Sequence, residues 1–328
     1  MISFLLQSLD QKLQKNQIRF VTLYKTVTFS SKFQSQKNRM SFFLKQNKTL
    51  LFCFFILFFF QLIFGQKNIE AISYNIRYEN LDDGENQWDL RKKTLINYLK
   101  NKSPSIVAMQ EVLNSQLLDL NFSLSEYSFV GIGREDGEKK GEFCPIFFNK
   151  YRFELIESET FWLSETPEKI SVGWDAALER ICTYAKFKDL ENNREFWVFN
   201  THFDHIGVKA RNESVELILK KIKEVNKGKI PILLTGDFNL TPEKKPIKRL
   251  QTLFQDILAD LNIGDHKYGT FNGFKKQVDS PQRIDYIFQN GFKVLKSEHL
   301  WIKTPKGLWA SDHHPVYLKC LFIYLHLF

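Results

Sequence analysis

The chain has 328 residues, of which 43% are hydrophobic, 15% aromatic and 25% charged. These fractions are typical of a globular protein and exclude a disordered, collagen-like or disulfide-scaffold chain. The formal net charge of +9 is concentrated at one end, because residues 1–66 contain nine Lys or Arg residues and one acid, whereas the rest of the chain has 37 basic and 36 acidic residues. This near-neutral body excludes a strongly basic nucleic-acid-binding domain.

Residues 40–66 have the pattern of an export signal. Lys45 and Lys48 precede the apolar run 50–64 (LLFCFFILFFFQLIF), and small and polar residues follow it. A basic start, a short apolar middle and a small residue at the exit are typical of a secretory signal peptide. The run is shorter than the roughly 20 apolar residues that span a bilayer. We therefore expect a cleaved signal and a secreted, periplasmic or cell-surface protein, with an uncleaved membrane anchor as the alternative.

The remaining organisation is simple. A start at Met40 would give a signal peptide of ordinary length, and residues 1–39 would then be either an extension that is not translated or a disordered tail. Residues 67–328 contain no repeat or Pro/Gly-rich linker, so we expect one large domain. The four cysteines include no CxxC pair, which argues against a disulfide framework or a zinc site. We expect the three cysteines of the body to be buried thiols.

The body is predicted to contain many short strands and few helices. Apolar residues at helical spacing mark a helix at Val215, Ile218 and Ile222, and weaker signals lie around Leu95 and Leu117. This pattern predicts a layered α/β fold with two packed sheets covered by helices. The predicted strands, which are rich in Val, Ile, Phe and Tyr, are Ala71–Tyr74, Ile106–Met109, Cys144–Phe148, Phe153–Leu163, Ile181–Phe187, Phe196–Phe199, Ile230–Leu234, Ile284–Phe288, Leu300–Ile302 and Val316–Leu318.

Polar side chains cluster where the predicted strands begin or end. Isolated buried charges are costly, so this repetition predicts a shared polar cleft. The polar positions are Asn75, Gln110, Glu111, Asn200, His202, Asp237, Asn239, Asp285, Asp312, His313 and His314.

The residue types narrow the chemistry. The oxygen donors of Asn75, Glu111 and Asp312 suit a hard cation such as Mg²⁺, with Mn²⁺ as an alternative. No HExxH, GxSxG or GxxxxGK[ST] motif is present, so the sequence gives no sign of a zinc protease, an acyl-transfer nucleophile or a P-loop. A cation beside histidines and carboxylates can polarise a phosphate and activate water.

Six segments resemble, in order, the motifs of the endonuclease/exonuclease/phosphatase superfamily, whose members have the deoxyribonuclease-I-like fold. The superfamily implies a four-layer α-β-β-α sandwich with two mainly antiparallel sheets, and metal-dependent hydrolysis of a phosphate ester. Other segments resemble a secreted subgroup nearest the nocturnin/deadenylase branch. The six motifs are SYNIR (73–77), QEV (110–112), NTHFDH (200–205), GDFN (236–239), RIDYIF (283–288) and SDHHPV (311–316).

The resemblance implies a catalytic role for five residues. Asp237 would orient or deprotonate the attacking water, and Asn239 would hold the phosphoryl oxygens. His202 would be a second phosphate contact. His313 would contact the scissile phosphate, and Asp285 would keep it charged, because a neighbouring carboxylate raises the pKa of a histidine.

The resemblance also implies metal-side and substrate-side residues. Glu111 would bind the metal with Asn75 close to it, and Asp312 would be the second metal-side carboxylate. Arg180 would face the substrate phosphate.

Two loops are expected at the mouth of the cleft. They are Asn80–Arg91 and Gly131–Gly141, and they would bring Arg134, Glu142 or Trp88 to the substrate.

The expected function is Mg²⁺-dependent hydrolysis of a phosphate ester, with a nuclease or nucleotide phosphodiesterase favoured. A phospholipid or inositol-phosphate hydrolase is the alternative, and a non-catalytic binding module on the same fold is the third interpretation. The near-neutral body favours a small or short substrate, because contacts to many phosphates require clusters of Lys and Arg. No protein partner is predicted, and membrane contact is expected only through an uncleaved N-terminal segment.

Overall fold

The structure is a computed structural model that describes residues 67–261, 269–276 and 282–323. The predicted leader (residues 1–66) and the last five residues of the chain lie outside these ranges, so the predictions made for them are not addressed by the structure. Within the described ranges, no helix combines the length and the apolar character that a membrane crossing requires.

Two six-stranded sheets form the centre of the molecule. The strand order is β11-β12-β1-β2-β4-β3 in the first sheet and β5-β6-β7-β8-β10-β9 in the second. The first sheet consists of β1 (Ile69–Asn75), β2 (Ile106–Gln110), β3 (Tyr127–Val130), β4 (Ile146–Asn149), β11 (Phe292–His299) and β12 (Val316–Phe322). The second consists of β5 (Phe153–Trp162), β6 (Ile181–Asp189), β7 (Arg194–His202), β8 (Ile232–Asp237), β9 (Gln255–Asp256) and β10 (Asp285–Asn290).

Helices cover the outer face of each sheet. Helices α1 (Trp88–Lys102) and α2 (Asn114–Ser123) pack on the first sheet. Helices α3 (Val208–Val225) and α4 (Lys245–Gln251) pack on the second. The predicted four-layer α-β-β-α sandwich is therefore confirmed.

The central strands of the sheets are mostly apolar along their length because both of their faces are buried. In β7, Phe196 and Val198 belong to the core between the two sheets, whereas Trp197 and Phe199 pack against the layer of α3 and α4. Successive side chains of a strand point to opposite faces, so a strand that lies in the middle of a sandwich needs apolar residues at every position.

Each sheet contains one parallel pair of strands, β1 with β2 and β7 with β8, and all other pairs are antiparallel. The mainly antiparallel character was predicted correctly. The parallel pairs end at Asn75 and Gln110 in the first sheet and at His202 and Asp237 in the second. Strand β10 runs in the opposite direction and begins with Asp285 directly beside Asp237. One end of the sandwich therefore collects the polar residues that follow or precede these strands.

A small polar network joins the two sheets below this end. The side-chain amide of Asn200 in β7 donates to the carbonyl oxygens of Met109 (2.7 Å) and Pro145 (2.9 Å). Its oxygen accepts from Gln110 in β2 (2.6 Å), which also approaches the hydroxyl of Ser73. Asn200 and Gln110 are completely buried, so they are part of the inter-sheet core and not of the predicted cleft.

Two elements differ from the sequence predictions. Leu300–Ile302 is not a strand, because the strand ends at His299 and the apolar side chains of Leu300 and Ile302 pack into the core beneath α1 and α2. Asn80–Arg91 is not simply a loop, since it contains a 3₁₀-helix (Leu81–Asn86) and the first residues of α1.

Several other elements were missed, namely β3, β9, β11 and α4. The buried thiols were predicted correctly for Cys144, Cys182 and Cys320.

The inter-sheet core predicts a large effect for one aromatic truncation. The buried ring of Phe196 contacts the rings of Phe153, Phe292 and Phe322 at centroid distances of 5.5, 6.0 and 5.7 Å. Phe196→Ala should lower the free energy of unfolding by about 3–5 kcal/mol, because it leaves a cavity that both sheets line. Urea denaturation measures this loss. Phe122→Ala, at an 89% exposed position on α2, is the control and should change stability by less than about 0.5 kcal/mol. Equal effects of the two substitutions would contradict the assignment of the core.

Candidate active site

A cleft of about 670 Å³ lies at the polar end of the sandwich. Asn75 and Asp285 are buried directly beneath it, and each contacts a residue of its lining. The structure thus brings all ten predicted site residues together. A second groove, of about 780 Å³ along α3 and α4, is lined by lysines and apolar side chains and has no cluster of histidines and carboxylates. The eight predicted residues that line the cleft are Glu111, Arg134, Arg180, His202, Asp237, Asn239, Asp312 and His313.

One side of the cleft is rich in oxygen donors. The amide nitrogen of Asn75 donates to Glu111 (Oε1, 2.9 Å) and Asp237 (Oδ2, 3.0 Å), so it joins the two carboxylates. Ligand atoms from Glu111, His202 and Asp237 lie within 4.8 Å of one another. Burial, together with the charge of Glu111, raises the pKa of Asp312 to about 6. Carboxylates held this close, with oxygen as the main donor, fit a hard divalent cation.

A carboxylate–imidazole pair occupies the centre of the cleft. Nδ1 of His313 lies 2.8 Å from Asp285, and its Nε2 lies 3.8 Å from Asp237. Burial alone would lower the pKa of His313, but the two carboxylates outweigh it and raise this pKa well above its usual value. Asp237, Asp285 and His313 are also close enough to hold a metal. Nδ1 of His313 is already paired with Asp285, however, so the oxygen-rich side around Glu111 is the better candidate for a cation site.

The second histidine of the cleft is neutral. Burial, reinforced by the charge of Arg180, lowers the pKa of His202 to about 3. The amide nitrogen of Asn239 lies 3.2 Å from Nε2 of His202 and donates to the carbonyl oxygen of Phe203 (3.0 Å). His202 is therefore neutral and His313 charged, although both lie in one cleft. Such a difference in pKa between neighbouring groups indicates which of them can act as an acid and which as a base.

The strand ends that carry these residues are packed tightly. A Cβ atom at Gly236 would lie 2.3 Å from the carbonyl oxygen of Thr201, so only glycine lets β8 approach β7 directly before Asp237. Glu111 and Asn239 adopt left-handed backbone conformations, with φ of 59° and 48°. Such conformations cost about 1–3 kcal/mol and concentrate at functional sites.

One wall of the cleft contains two buried arginines. Arg134 donates to Glu142 (2.8 Å), and Glu142 lies 3.5 Å from Nδ1 of His202. Arg180 pairs with Asp204 (3.3 Å) and contacts Nδ1 of His205 (3.0 Å). Both arginines are more than nine-tenths buried, and each has one carboxylate partner.

The structure adds lining residues that the sequence did not single out. Arg77 forms a two-pronged contact with Asp83 (3.0 Å) and lies 3.9 Å from Glu111. It belongs to the SYNIR motif, in which only Asn75 was predicted to be a site residue. Phe271 is 39% exposed in the cleft and packs edge-on against the ring of His313 at 5.0 Å. No sequence signal marks it, because its partner is 42 residues away in the chain.

Two expectations about neighbouring residues are settled by burial. Trp88 was expected near the substrate, but it is 1% exposed, belongs to the core under α1 and donates to Asp119. This expectation was wrong. His314, one of the polar residues from which the cleft was predicted, does not line it and is buried against the rings of Trp301 and Trp309.

Comparisons with known proteins agree with this geometry. The sequence profile of the Endonuclease/Exonuclease/phosphatase family matches residues 72–313. The structure resembles an endonuclease/exonuclease/phosphatase of Bacteroides vulgatus, with 35% identity and a TM-score of 0.72 over 79% of this chain and 100% of that one. It also resembles a mannosyl-6-phosphatase of Bacteroides thetaiotaomicron, with 34% identity and a TM-score of 0.70 over 77% of this chain and 100% of that one.

A more distant relative bears on the predicted branch. Nocturnin of Drosophila melanogaster is 24% identical over 271 residues, which are 69% of this chain and 41% of nocturnin. The predicted kinship with nocturnin is confirmed at this level, although the chain spans less than half of nocturnin's length.

The pairing of Asp285 with His313 predicts a measurable pKa change. Asp285→Asn removes the closest negative charge from His313, so the pKa of the imidazole should fall, and the pH at which it loses its proton should fall with it. Titration of the histidine ring signals by NMR measures this shift. Glu154→Gln, at an exposed position of β5, is the control and should leave the pKa unchanged. An unchanged pKa in the Asp285 variant would exclude the proposed pair.

Proposed function

Because the chain belongs to the endonuclease/exonuclease/phosphatase family, we propose that it hydrolyses a phosphate ester of a small molecule with water as the nucleophile and a divalent cation as cofactor. The observation that carries this proposal is the pairing of a charged His313 with the buried carboxylates of Asp285 and Asp237 at one end of the cleft.

The side chains can divide the work of in-line displacement. Burial and the charge of Asp285 raise the pKa of Asp237, which makes it a stronger base towards an attacking water. The imidazolium of His313 donates from Nε2 to a phosphoryl oxygen, while Asp285 holds its Nδ1 proton and orients the ring. Asn239 and the neutral His202 contact the remaining phosphoryl oxygens.

A cation would be held mainly by Glu111, with Asn75, Asp237 and Asp312 around it. We propose Mg²⁺, because the donors are mostly oxygen and the family acts on phosphates. When bound, such an ion neutralises charge that develops on the phosphoryl group. Arg77, 3.9 Å from Glu111, adds a second positive charge on the same side.

The charge of the cleft favours a small substrate over a long polyanion. None of the described residues that line it is a lysine, and Arg77, Arg134 and Arg180 are each paired with an acid. Nucleic acids are usually held by Lys and Arg side chains that have no acidic partner. The mannosyl-6-phosphatase relative supports a small phosphomonoester as well. A nuclease is the second candidate, favoured by the kinship with nocturnin and by the many nucleases of the family.

Activity assays test the proposal directly. The full-length protein, purified in mild detergent because residues 50–64 are apolar, should hydrolyse mannose 6-phosphate or p-nitrophenyl phosphate with Mg²⁺ and lose this activity with chelator. His313→Ala and Asp237→Asn should each lower kcat by about 100- to 10,000-fold, since each removes an acid–base or charge-stabilising group. Release of inorganic phosphate is the measurement.

A control variant and further substrates complete the assay and show which results would contradict the proposal. Glu154→Gln should keep full activity, because its side chain is exposed and remote from the cleft. Single-stranded RNA and DNA, poly(A), sphingomyelin and inositol phosphates complete the panel. Faster turnover of RNA than of any small phosphate would select the nuclease. A folded protein that binds Mg²⁺ but turns over no substrate would overturn the proposal.

We also propose that the protein is exported and acts outside the cytoplasm. The support is the basic and apolar pattern of residues 40–66. N-terminal sequencing of the protein recovered from its native cells should find a start near residue 67. A membrane-bound protein that retains residues 50–64 would instead support the anchor, and a soluble intracellular protein with an intact N-terminus would contradict export.

A further inference from the structure

A rigid loop carries two charged side chains into the cleft. Residues 131–143, here called the cleft loop, fold back on themselves through backbone hydrogen bonds from Arg134 to Glu142 and from Glu135 to Lys140. The carboxylate of Asp136 accepts from three successive backbone N–H groups, at residues 138–140. The indole of Trp162 donates to the carbonyl oxygen of Arg134. Arg134 and Glu142 are therefore held side by side.

The Arg134–Glu142 pair is poorly satisfied as a structural ion pair. One nitrogen of Arg134 bonds to Oε2 of Glu142, while its Nε is buried without a hydrogen-bond partner. Nδ1 of His202, 3.5 Å from the same carboxylate, also lacks a partner. No contact within the described residues engages Oε1 of Glu142. A buried pair with unmet hydrogen bonds costs stability, so a role in binding explains its presence better than a role in folding.

The pair lies one imidazole ring away from the reacting centre. Nε2 of His202 is 3.7 Å from Asp237, and Nδ1 on the other side of the same ring is 3.5 Å from Glu142. A phosphate beside Asp237 would therefore have Arg134 and Glu142 within reach of the group that it is attached to. The exposed face of Phe271 belongs to the same cleft.

The absence of net charge on the described residues of this wall indicates what kind of leaving group would bind there. Arg134 is neutralised by Glu142, and the neighbouring Arg180 is neutralised by Asp204. A second phosphate would meet the carboxylate of Glu142, and its charge would be opposed. A neutral group with several hydroxyls instead finds donors and acceptors side by side, and an aromatic face such as that of Phe271 can cover the C–H side of a sugar ring.

We propose that Arg134 and Glu142 bind vicinal hydroxyls of a polyol leaving group, so that the substrate class is sugar phosphates. This inference rests on the proposed phosphoesterase function. In it, Glu142 accepts hydrogen bonds from the hydroxyls through Oε1, and the guanidinium of Arg134 donates to the same hydroxyl oxygens.

Paired substrates test this role. In the full-length protein with Mg²⁺, Glu142→Gln should lower kcat/KM for mannose 6-phosphate by about 10- to 100-fold, because a charged hydrogen-bond acceptor is lost. Activity on p-nitrophenyl phosphate, whose leaving group has no hydroxyls to bind, should fall less, so that the ratio of the two kcat/KM values falls by about 10-fold or more. Glu138→Gln is the matched control, since Glu138 is an exposed acid on the same loop. It should alter neither activity.

A deoxy substrate separates recognition from structural support. The wild type should hydrolyse 2-deoxyglucose 6-phosphate more slowly than mannose 6-phosphate, and Glu142→Gln should abolish most of this difference. A structural role through His202 would instead lower the activity on all substrates equally, including p-nitrophenyl phosphate. That result would overturn the inference and leave the proposed function intact.

Calorimetry distinguishes failure of the inference from failure of the proposed function. Binding of mannose 6-phosphate to the Asp237→Asn protein requires no turnover and should weaken about 10-fold or more when Glu142→Gln is added. Equal affinity with and without Glu142→Gln would refute sugar recognition even if all catalysis were absent. Absence of turnover by the wild type, with the predicted loss of affinity, would refute only the phosphoesterase.

Discussion

The cleft depends on a contact made beneath it, where the side chain of Asn200 reaches from the second sheet to the first. Its amide donates to two backbone carbonyls and accepts from Gln110, so three hydrogen bonds join the sheets at one point. Apolar packing is non-directional and by itself would tolerate sliding between two flat layers. Hydrogen bonds are directional, and in a buried network they select one arrangement. Gln110 directly precedes Glu111, and Asn200 lies two residues before His202, so this arrangement sets the distance across the cleft.

The consequence is a site in which like charges are brought together. Asp237 and Asp285 are neighbours on adjacent strands, and Glu111 contacts the same amide of Asn75 as Asp237 does. Burial, reinforced by these neighbouring charges, raises the pKa of Asp237 and of Asp312. A charged His313 relieves it on one side and a cation would relieve it on the other. The left-handed conformations of Glu111 and Asn239 add strain that the large inter-sheet core can offset.

Much of this site could be predicted from the sequence because strand ends are local signals. An apolar run that ends at Glu111 or at Asp237 predicts both the strand and its polar end. The six motifs contain eight of the ten predicted site residues, and the structure brings these eight together at one cleft. Asn200 shows the limit of such reasoning. It carries the same signal as His202 and lies on the same face of β7, but it is two residues further from the end of the strand, where the first sheet covers its side chain.

The other failures share that cause. Leu300 and Ile302 are apolar because they fill the core under α1, which a local pattern cannot distinguish from strand pairing. Trp88 was expected in the cleft because its loop was expected there, but it begins a helix and faces the core. Phe271 reaches His313 across a long sequence separation. In each case a tertiary contact decides where the residue lies, and the local sequence does not identify the partner in that contact.

The floor and the wall of the cleft would face different parts of the substrate. The floor, formed by Glu111, Asp237 and His313, contains the groups for which we propose a role at the phosphate, and such roles would serve a nuclease or a phosphatase equally well. The wall is where such enzymes must differ, because it faces what the phosphate is attached to. Here Glu142 adds a negative charge that a nucleic acid strand would have to approach, and it cancels the charge of Arg134. We infer from this cancelled charge that the wall favours hydroxyls over phosphates, and for this reason we propose a small, neutral leaving group.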